Sequence, residues 1–280
     1  MKDNINTLIT DFDNTLFDWF GNWYQAFSGA LNYIIDNTNI NKEILLKDIK
    51  SIHKKHGTTE YLNVFNEIAK QPQYAKYGDI DIICKNASLL REDLKQKHLY
   101  LFDGVYDTFQ CLKKNNFKII IFTESEAYST LSRIIALNLD GLVDYVYAPP
   151  SRNFKIPLPQ KTKFQQFDYS EHYKTNPDNL YKIIYELKLN KKNCCYLGDS
   201  LTKDIQMAKS AGIIDIYAKY GENYLKKKEY QLLKNVTFWS DSMVKKEEKS
   251  NAQIIKPTYI LENSIKELLE ILNIREEQNV

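Results

Sequence analysis

The sequence predicts an α/β protein in which a parallel sheet carries an inserted bundle of helices. Three observations lead to this prediction. An apolar run that includes Leu8, Ile9 and Phe12 lies near the amino terminus and is typical of a buried strand. Residues 18–101 then follow a helical period without a convincing strand. Beyond residue 102, strand and helix patterns alternate, as they do in parallel α/β sheets.

Each element follows from its own pattern. Apolar residues at helical spacing predict helices at 19–35, 45–53, 61–69 and 82–94. Apolar runs predict strands at 117–122, 143–147, 194–197, 213–218 and 259–261. Amphipathic stretches predict the remaining helices at 105–114, 128–137, 180–187, 205–211 and 264–272. Ser264 and Glu267 form a predicted capping box at the start of the last helix.

These patterns divide the chain into two predicted domains. Residues 1–17 and 102–280 form the sheet core, and residues 18–101 form the inserted helical domain. Two stretches interrupt the alternation. Residues 149–173 are rich in proline and aromatic residues and are expected to form a lid or a surface elaboration. Residues 226–256 are rich in Lys and Glu and are expected to form a solvated or partly disordered insert.

Composition limits the possible partners. The net charge of +2 arises from 38 basic and 36 acidic residues, a balance that indicates no nucleic-acid partner. No apolar run approaches the length of a membrane span, so no membrane partner is expected. The four cysteines lack metal-ligand spacing and are expected to be buried free thiols. With no signal-peptide pattern at the amino terminus, we expect a cytoplasmic protein. The oligomeric state is not indicated.

Asp11 and Asp13 stand at the end of the first predicted strand, in the segment ITDFDNTLFDW. Alternate residues of a strand project to the same side, so both carboxylates can reach one reacting atom. An ionised carboxylate can attack phosphorus if a divalent cation offsets its repulsion from the phosphate. The second carboxyl could protonate the leaving group and later activate water. An isolated Asp-x-Asp pair, however, is more often a polar turn that closes a strand.

Three later segments favour the catalytic interpretation. Thr123 ends a predicted strand in FTES and offers a hydroxyl to a phosphate oxygen. Lys174 precedes a predicted helix and offers an ammonium group. The segment LGDSLTKDI adds two carboxylates after another strand. Four acids at one sheet edge would repel one another without a cation, and Mg²⁺ prefers such oxygen ligands. The predicted metal ligands are Asp11, Asp13, Asp199 and Asp204.

Together these segments resemble the four motifs of the haloacid dehalogenase (HAD) superfamily. DFDNTLFD resembles the first motif, FTES the second, Lys174 with Pro177 the third, and GDSLTKDIQMAKSAGI the fourth. The resemblance covers the whole predicted core. It implies a Rossmann-like core, in which a parallel sheet presents the motifs at its carboxyl edge.

The resemblance also implies a role for each motif residue. Asp11 would be the nucleophile that forms an aspartyl-phosphate, and Asp13 the general acid and base. Thr123 and Lys174 would hold the phosphoryl group. The implied magnesium ligands are Asp11, the backbone carbonyl of Asp13, and Asp199, with Asp204 supporting them.

The predicted helical domain lies between the first and second motifs, where the C1 type of cap is inserted in this superfamily. Asp18 and the stretch before Phe102 would be its hinges. The segment HKKHGTTEY resembles the position of the substrate-specificity loop, although a solvated loop between helices is the favoured interpretation of its residues. The predicted substrate contacts in this segment are His56, Thr58, Thr59 and Glu60.

Glu124 departs from the second motif, which usually continues with Asn or Gly. Its carboxylate would lie near the phosphate unless the side chain points away. We therefore expect Glu124 to shape the substrate site together with Thr123 and Lys174.

The expected function is that of a Mg²⁺-dependent phosphatase acting on a small phosphorylated metabolite. A phosphomutase would use the same groups and would differ in shielding the intermediate from water. A 2-haloacid dehalogenase is a weaker alternative, because the residue corresponding to Asp13 is not an acid in that branch. A non-catalytic module that binds phosphate or metal is the alternative from another class.

Overall fold

The computed structural model describes residues 5–151, 155–167, 174–226, 228–240, 242, 244–245 and 255–274. The chain divides into two compact units. The sheet unit comprises residues 1–18, 100–223 and 250–280. The helical unit comprises residues 19–99 and 224–249.

The sheet unit contains seven parallel strands among the described residues. They are β1 (Thr7–Thr10), β2 (Lys118–Phe122), β3 (Tyr145–Ala148), β4 (Lys163–Gln166), β5 (Cys194–Gly198), β6 (Ile214–Ala218) and β7 (Tyr259–Leu261). Their order across the sheet is β4-β3-β2-β1-β5-β6-β7. In the central strand, Ile9 lies opposite Ile120 of β2 and Tyr196 of β5. The predicted α/β fold with a parallel sheet is therefore confirmed.

Helices occur in both units. They are α1 (Trp19–Thr38), α2 (Lys42–His56), α3 (Val64–Ala69), α4 (Ile80–Lys97), α5 (Val105–Lys114), α6 (Ala127–Ala136), α7 (Asp178–Glu186), α8 (Gln206–Ala211), α9 (Tyr230–Val236) and α10 (Glu267–Ile271). The first four and α9 belong to the helical unit, and the others belong to the sheet unit. None of the helices in the described part of the chain combines the length and apolar character that a membrane crossing requires.

Helices α7 and α8 cover one face of the sheet. Ile9, Ile120 and Tyr196 are completely buried there, in one cluster with Ile183 of α7 and Met207 of α8. A parallel sheet requires such cover, because its strands are apolar on both faces. Each fully buried large apolar side chain contributes about 1.5–3 kcal/mol. This packing holds the ends of the central strands in place.

The proline-rich stretch 149–173 contains a strand, β4, that the sequence does not predict. Its residues are mostly polar because it is the edge strand of the sheet, and only Phe164 is partly buried. The Asp140 carboxylate accepts hydrogen bonds from the three backbone N–H groups that precede β4, at 2.8–3.0 Å. Residues 152–154 and 168–173 lie outside the described residues, so the proposed lid stays a prediction.

An aromatic cluster forms the core of the helical unit. Phe20, Trp23 and Phe27 recur at helical spacing on α1, and all three are buried. The rings of Trp23 and Phe27 stack with centroids 5.0 Å apart. The aromatic stripe of this first helix therefore serves packing, as its period predicts.

The helical unit has a second segment, residues 224–249, which the sequence analysis assigned to the core. Helix α9 lies in this segment, within the stretch predicted to be a solvated or disordered insert. Its residues Tyr230 and Val236 are buried in the aromatic cluster of the helical unit. The many lysines around this short apolar pattern conceal it in the sequence. The assignment of residues 224–249 to the core is therefore wrong, and the prediction of a solvated or disordered insert is wrong for α9.

His53 lies in the last turns of α2, as the helix predicted over 45–53 requires, but the helix runs three residues further and takes in part of the segment predicted as a loop. The helix continues to His56, and Gly57 ends it in the left-handed conformation, with φ 65°. The His53 ring is completely buried, and its Nδ1 donates a hydrogen bond to the Val236 carbonyl at 2.7 Å. Burial lowers the pKa of His53 from 6.5 to about 4, and the charge of Arg91 acts in the same direction.

We predict that the helical unit loses stability in mild acid. Below pH 6.5 the unfolded chain binds a proton at His53 that the folded ring does not accept until about pH 4. Stability is therefore fully present above pH 6.5, and about 3 kcal/mol is lost as the pH falls through this window. The chain's three tryptophans, Trp19, Trp23 and Trp239, all belong to the helical unit. Urea unfolding followed by tryptophan fluorescence at several pH values thus measures this unit.

His53→Gln provides the comparison, because glutamine can donate to Val236 but does not titrate. This variant should lose clearly less stability in acid than the wild type. His56→Gln is the matched control, because His56 is only partly buried, and it should retain the wild-type loss. Parallel losses in the wild type and His53→Gln would refute the prediction.

Candidate active site

Three strands bring the predicted motif residues to one edge of the sheet. Asp11 follows β1, Thr123 follows β2 and Asp199 follows β5. The chain builds β2, β3 and β4 on one side of β1 and then crosses to β5 on the other side. Such a switch point opens a crevice at the carboxyl ends of the strands. The backbone N–H of Asp11 donates to the Leu197 carbonyl at 2.8 Å and ties the two strand ends together.

Lys174 and Asp11 form a buried ion pair at this switch point. The Lys174 ammonium donates to Asp11 Oδ1 and lies 2.8 Å from Asp204 Oδ1. Lys174 is only 3% exposed. Burial alone would lower its pKa, but Asp11 and Asp204 raise that pKa above its ordinary value. Burial raises the pKa of Asp11, and the Lys174 ammonium acts against this effect.

Asp204 holds the ammonium group in place. Its Oδ1 also accepts from the Tyr196 hydroxyl at 2.9 Å, and its Oδ2 accepts from the Ser200 N–H at 3.0 Å. The Asp204 carboxylate can lie this close to the end of β5 because residue 198 is glycine. A Cβ at Gly198 would lie 2.3 Å from the Asp204 carboxyl carbon. Both oxygens of Asp204 therefore accept hydrogen bonds from other groups of the protein, although the sequence predicts Asp204 as a metal ligand.

Asp11, Asp199 and Asp204 form the candidate cation site. Each offers a carboxylate oxygen, and these oxygens lie within 4.8 Å of one another. Thr15 Oγ1 lies 3.1 Å from Asp11 Oδ2 and 3.3 Å from Asp199 Oδ1. Carboxylates crowded in this way repel one another, and a set of oxygen donors fits a hard cation such as Mg²⁺. The residues present therefore fit magnesium.

The carboxylate of Asp13 lies apart from this group. Its Oδ1 accepts from Arg133 Nη1 at 3.2 Å, and its Oδ2 accepts from the Ser125 hydroxyl. Among the four predicted metal ligands, only the carboxylate of Asp13 lies outside the candidate cation site. Asp13 could therefore bind the cation through its backbone carbonyl and not through its side chain. Neither Arg133 nor Ser125 is assigned a role by the sequence motifs. A signal existed for Arg133, because it stands on the buried face of the predicted helix, three residues after Thr130.

Thr123 and Glu124 follow β2 and face different partners. Thr123 is buried, and its Oγ1 accepts from the Ser125 N–H at 3.1 Å. Glu124 Oε2 pairs with Lys203 Nζ at 2.9 Å, and its Oε1 accepts from the Lys174 N–H at 3.1 Å. Burial alone would raise the pKa of Glu124, but Lys203 and Lys174 hold it below its ordinary value. The unusual glutamate is thus neutralised by Lys203, which the sequence analysis also missed.

The turn that carries Asp13 is fixed by contacts from a distant segment. Asn14 adopts a left-handed conformation, with φ 57°. Tyr220 donates its hydroxyl to the Thr15 carbonyl at 2.8 Å. A Cβ at Gly221 would lie 1.9 Å from the Asn14 carbonyl oxygen, so only glycine fits there. Neither Tyr220 nor Gly221 carries a local motif that could have identified it.

The predicted substrate contacts of the helical unit have partners within that unit. His56 Nε2 is 2.7 Å from Glu67 Oε1, and its ring stacks on Tyr61. Thr59 is buried, with its hydroxyl 3.4 Å from that of Thr237. Thr58 accepts from the Glu60 N–H at 3.1 Å, and Glu60 lies 4.0 Å from Lys95 Nζ. Their role in substrate binding stays a prediction.

Comparison with solved structures gives the same fold. The HAD-hydrolase YfnB of Bacillus subtilis, solved with bound magnesium, shares 17% identity over 97% of this chain and 100% of its own, with a TM-score of 0.54. A 2-haloacid dehalogenase of Pseudomonas syringae shares 16% identity over 96% and 98%, with a TM-score of 0.56. A HAD phosphatase of Thermococcus onnurineus shares 14% identity over 97% and 99%, also with a TM-score of 0.56. Because the sequence identities to these three structures are so low, the comparisons show only that the fold is shared.

Sequence comparison establishes the family. No curated protein matches the chain significantly. The family model of the haloacid dehalogenase-like hydrolases, however, matches residues 5–212. This range contains every candidate catalytic residue described above. The chain therefore belongs to the haloacid dehalogenase-like hydrolases.

Proposed function

We propose that this hydrolase is a Mg²⁺-dependent phosphatase that cleaves a small phosphorylated metabolite through an aspartyl-phosphate on Asp11. One observation carries the proposal: two carboxylates only two residues apart have different cationic partners. Asp11 is paired with the buried Lys174 ammonium, and Asp13 is paired with Arg133. Separate environments of this kind allow one carboxylate to attack and the other to transfer protons.

The two carboxylates would divide the reaction into two steps. In the first, an Asp11 oxygen attacks phosphorus, the bond to the leaving oxygen breaks, and the Asp13 carboxyl gives that oxygen its proton. In the second, water attacks the phosphorus of the aspartyl-phosphate and gives a proton to the Asp13 carboxylate. Inorganic phosphate leaves, and Asp11 and Asp13 return to their starting forms.

The surrounding residues would bind the phosphoryl group and the cation. Lys174 has three N–H donors, of which the described carboxylates engage two, so the third can serve a phosphoryl oxygen. Thr123 would hold a second phosphoryl oxygen. Asp11, Asp199 and the backbone carbonyl of Asp13 would hold magnesium, which when bound offsets charge repulsion and polarises the phosphoryl group. The Bacillus subtilis relative was solved with magnesium, which supports this choice of ion.

The acid at position 13 favours phosphate ester hydrolysis over dehalogenation. A halide ion leaves without a proton, whereas an alkoxide needs one, so a positioned acid such as Asp13 is useful for the ester. One structural relative is described as a phosphatase and another as a dehalogenase. The four free cysteines fit a reducing compartment, and we propose the cytoplasm.

Phosphate release from a panel of esters tests the proposal. Nucleotides, sugar phosphates, phosphoglycolate and phosphorylated vitamins are incubated with Mg²⁺, with a chelator, and with Mg²⁺ restored. We expect at least one class to be hydrolysed, with a loss of about 100-fold or more on chelation that is reversed by Mg²⁺. Activity that survives chelation would sink the metal-dependent mechanism. Halide release from a 2-haloacid, without phosphate release from any ester, would favour the dehalogenase.

A trapped phosphoenzyme tests the nucleophile. With 2,4-dinitrophenyl phosphate, Asp13→Asn should still be phosphorylated, because this leaving group needs no proton, but hydrolysis of the intermediate should be slow. Mass spectrometry of the acid-quenched protein should then find one phosphoryl group on Asp11. Asp11→Asn should acquire none and should not turn over. Asp103→Asn, an exposed carboxylate paired with Lys266, is the control and should behave as the wild type. Turnover by Asp11→Asn would exclude the proposed intermediate.

We also propose that the helical unit supplies substrate selectivity through the segment around Glu60. Among the phosphate esters that the wild type hydrolyses, Glu60→Ala should change the relative kcat/KM values by about 10-fold, because one charged contact to the substrate is lost. Glu43→Ala, an exposed acid in the first turn of α2, is the matched control. Tryptophan fluorescence confirms that both variants are folded. If Glu60→Ala leaves the substrate profile unaltered, Glu60 is not a substrate contact.

A further inference from the structure

We propose that Arg133 is a positioning residue that fixes the Asp13 carboxyl for proton transfer, with Ser125 as its second anchor. The inference rests on the proposed phosphatase function, in which Asp13 is the acid and base. It concerns two residues to which the resemblance to the superfamily motifs assigns no role. Arg133 comes from α6, and Ser125 comes from the loop that connects β2 to α6.

The two anchors hold both oxygens of Asp13. Arg133 Nη1 donates to Oδ1 at 3.2 Å, and the Ser125 hydroxyl donates to Oδ2. A carboxyl group held at one oxygen can still swing about that contact. A carboxyl group held at both oxygens by separate elements has a fixed plane. Proton transfer depends on that plane, because the carboxyl oxygen must stay within hydrogen-bond reach of the leaving oxygen.

Arg133 is itself held firmly. Its side chain is only 4% exposed, against 22% for that of Asp13, and its guanidinium lies 5.2 Å from the centre of the Phe17 ring. A guanidinium group is rarely buried to this extent without a paired anion. Its cation–π contact with Phe17 adds a second restraint on the position of the guanidinium. Arg133 therefore acts as a fixed donor and Asp13 as the group that it orients.

Ser125 connects this anchor to the predicted phosphate site. Its hydroxyl donates to Asp13, while its backbone N–H donates to Thr123 Oγ1 at 3.1 Å. The residue that would bind a phosphoryl oxygen and the residue that would move the proton are thus linked through one serine. Ser125 thereby fixes the distance between Thr123 and the Asp13 carboxyl. A fixed distance is needed if Asp13 is to donate its proton while the phosphoryl group is being transferred.

The effect of the anchors should depend on the leaving group. When an alkyl ester is cleaved, the leaving oxygen takes the proton of the Asp13 carboxyl, and Arg133 stabilises the carboxylate that results. A 2,4-dinitrophenolate leaves without a proton. The ratio kcat/KM reports only the steps up to the first irreversible one, so it isolates phosphoryl transfer to Asp11 from the later hydrolysis.

The experiment compares two esters in four proteins. Wild type, Arg133→Met, Arg133→Lys and Lys113→Met are assayed with 2,4-dinitrophenyl phosphate and with the best alkyl phosphate from the panel. Arg133→Met should reduce kcat/KM for the alkyl ester about 100-fold, and should increase the ratio of aryl to alkyl kcat/KM at least about 10-fold. Arg133→Lys, which keeps a cationic donor, should restore part of the alkyl activity.

Lys113→Met is the matched control, because it removes another ion pair of the sheet unit, between Lys113 and Asp144 at 2.7 Å. Its aryl-to-alkyl ratio should equal that of the wild type. Equal losses on both esters in Arg133→Met would overturn the positioning role and leave only a structural one. If Arg133→Met does not fold, Ser125→Ala takes its place, with the same change in ratio expected and an unchanged ratio counting against the proposal. A wild-type protein that hydrolyses neither ester would instead overturn the proposed phosphatase function.

Discussion

The buried ion pair between Lys174 and the carboxylates of Asp11 and Asp204 is the constraint on which the site depends. An ammonium group with 3% exposure is stable only where anions replace its water. Those anions belong to segments far from it in the sequence, 163 residues away in the case of Asp11. They meet because β1 and β5 are neighbours at the centre of a parallel sheet. The apolar packing of the sheet therefore supports this charged group, and the ion pair in turn holds the ends of the central strands in register.

Three acids around the crevice each pair with a different cationic side chain. Asp11 has Lys174, Asp13 has Arg133, and Glu124 has Lys203. These ion pairs reduce the repulsion between carboxylates that are crowded at one edge of the sheet. The Asp199 carboxylate accepts a hydrogen bond from the Thr15 hydroxyl at 3.3 Å. The three ion pairs reduce the negative charge that the proposed magnesium ion would have to offset.

The sequence predicted those site residues that directly follow an apolar strand, because the carboxyl ends of parallel strands lie at the same edge of the sheet. Asp11, Thr123 and Asp199 were found in this way. Arg133, Ser125 and Lys203 were missed, because their partners are set by the packing of α6 and by the turn after β5, which no local pattern encodes. Strand β4 was missed because an edge strand can be polar, and α9 because lysines surround its apolar residues. The end of α2 was placed three residues too early, because Lys54, Lys55 and His56 continue no apolar pattern.

The division of the chain has a consequence for any movement of the helical unit. A helical domain inserted at one point would be joined to the sheet unit by two connections, at residues 18–19 and 99–100. Because residues 224–249 also belong to the helical unit, the chain passes to it a second time after residue 223 and returns before residue 255. A rotation of one unit against the other must therefore bend the chain at four places. The departure after residue 223 is restrained on the sheet side, since Gly221 packs against the Asn14 carbonyl, and Asn14 itself lies shortly before the first connection. If Asp18 and the stretch before Phe102 act as the hinges that the resemblance implies, the segment that follows Gly221 would have to bend with them.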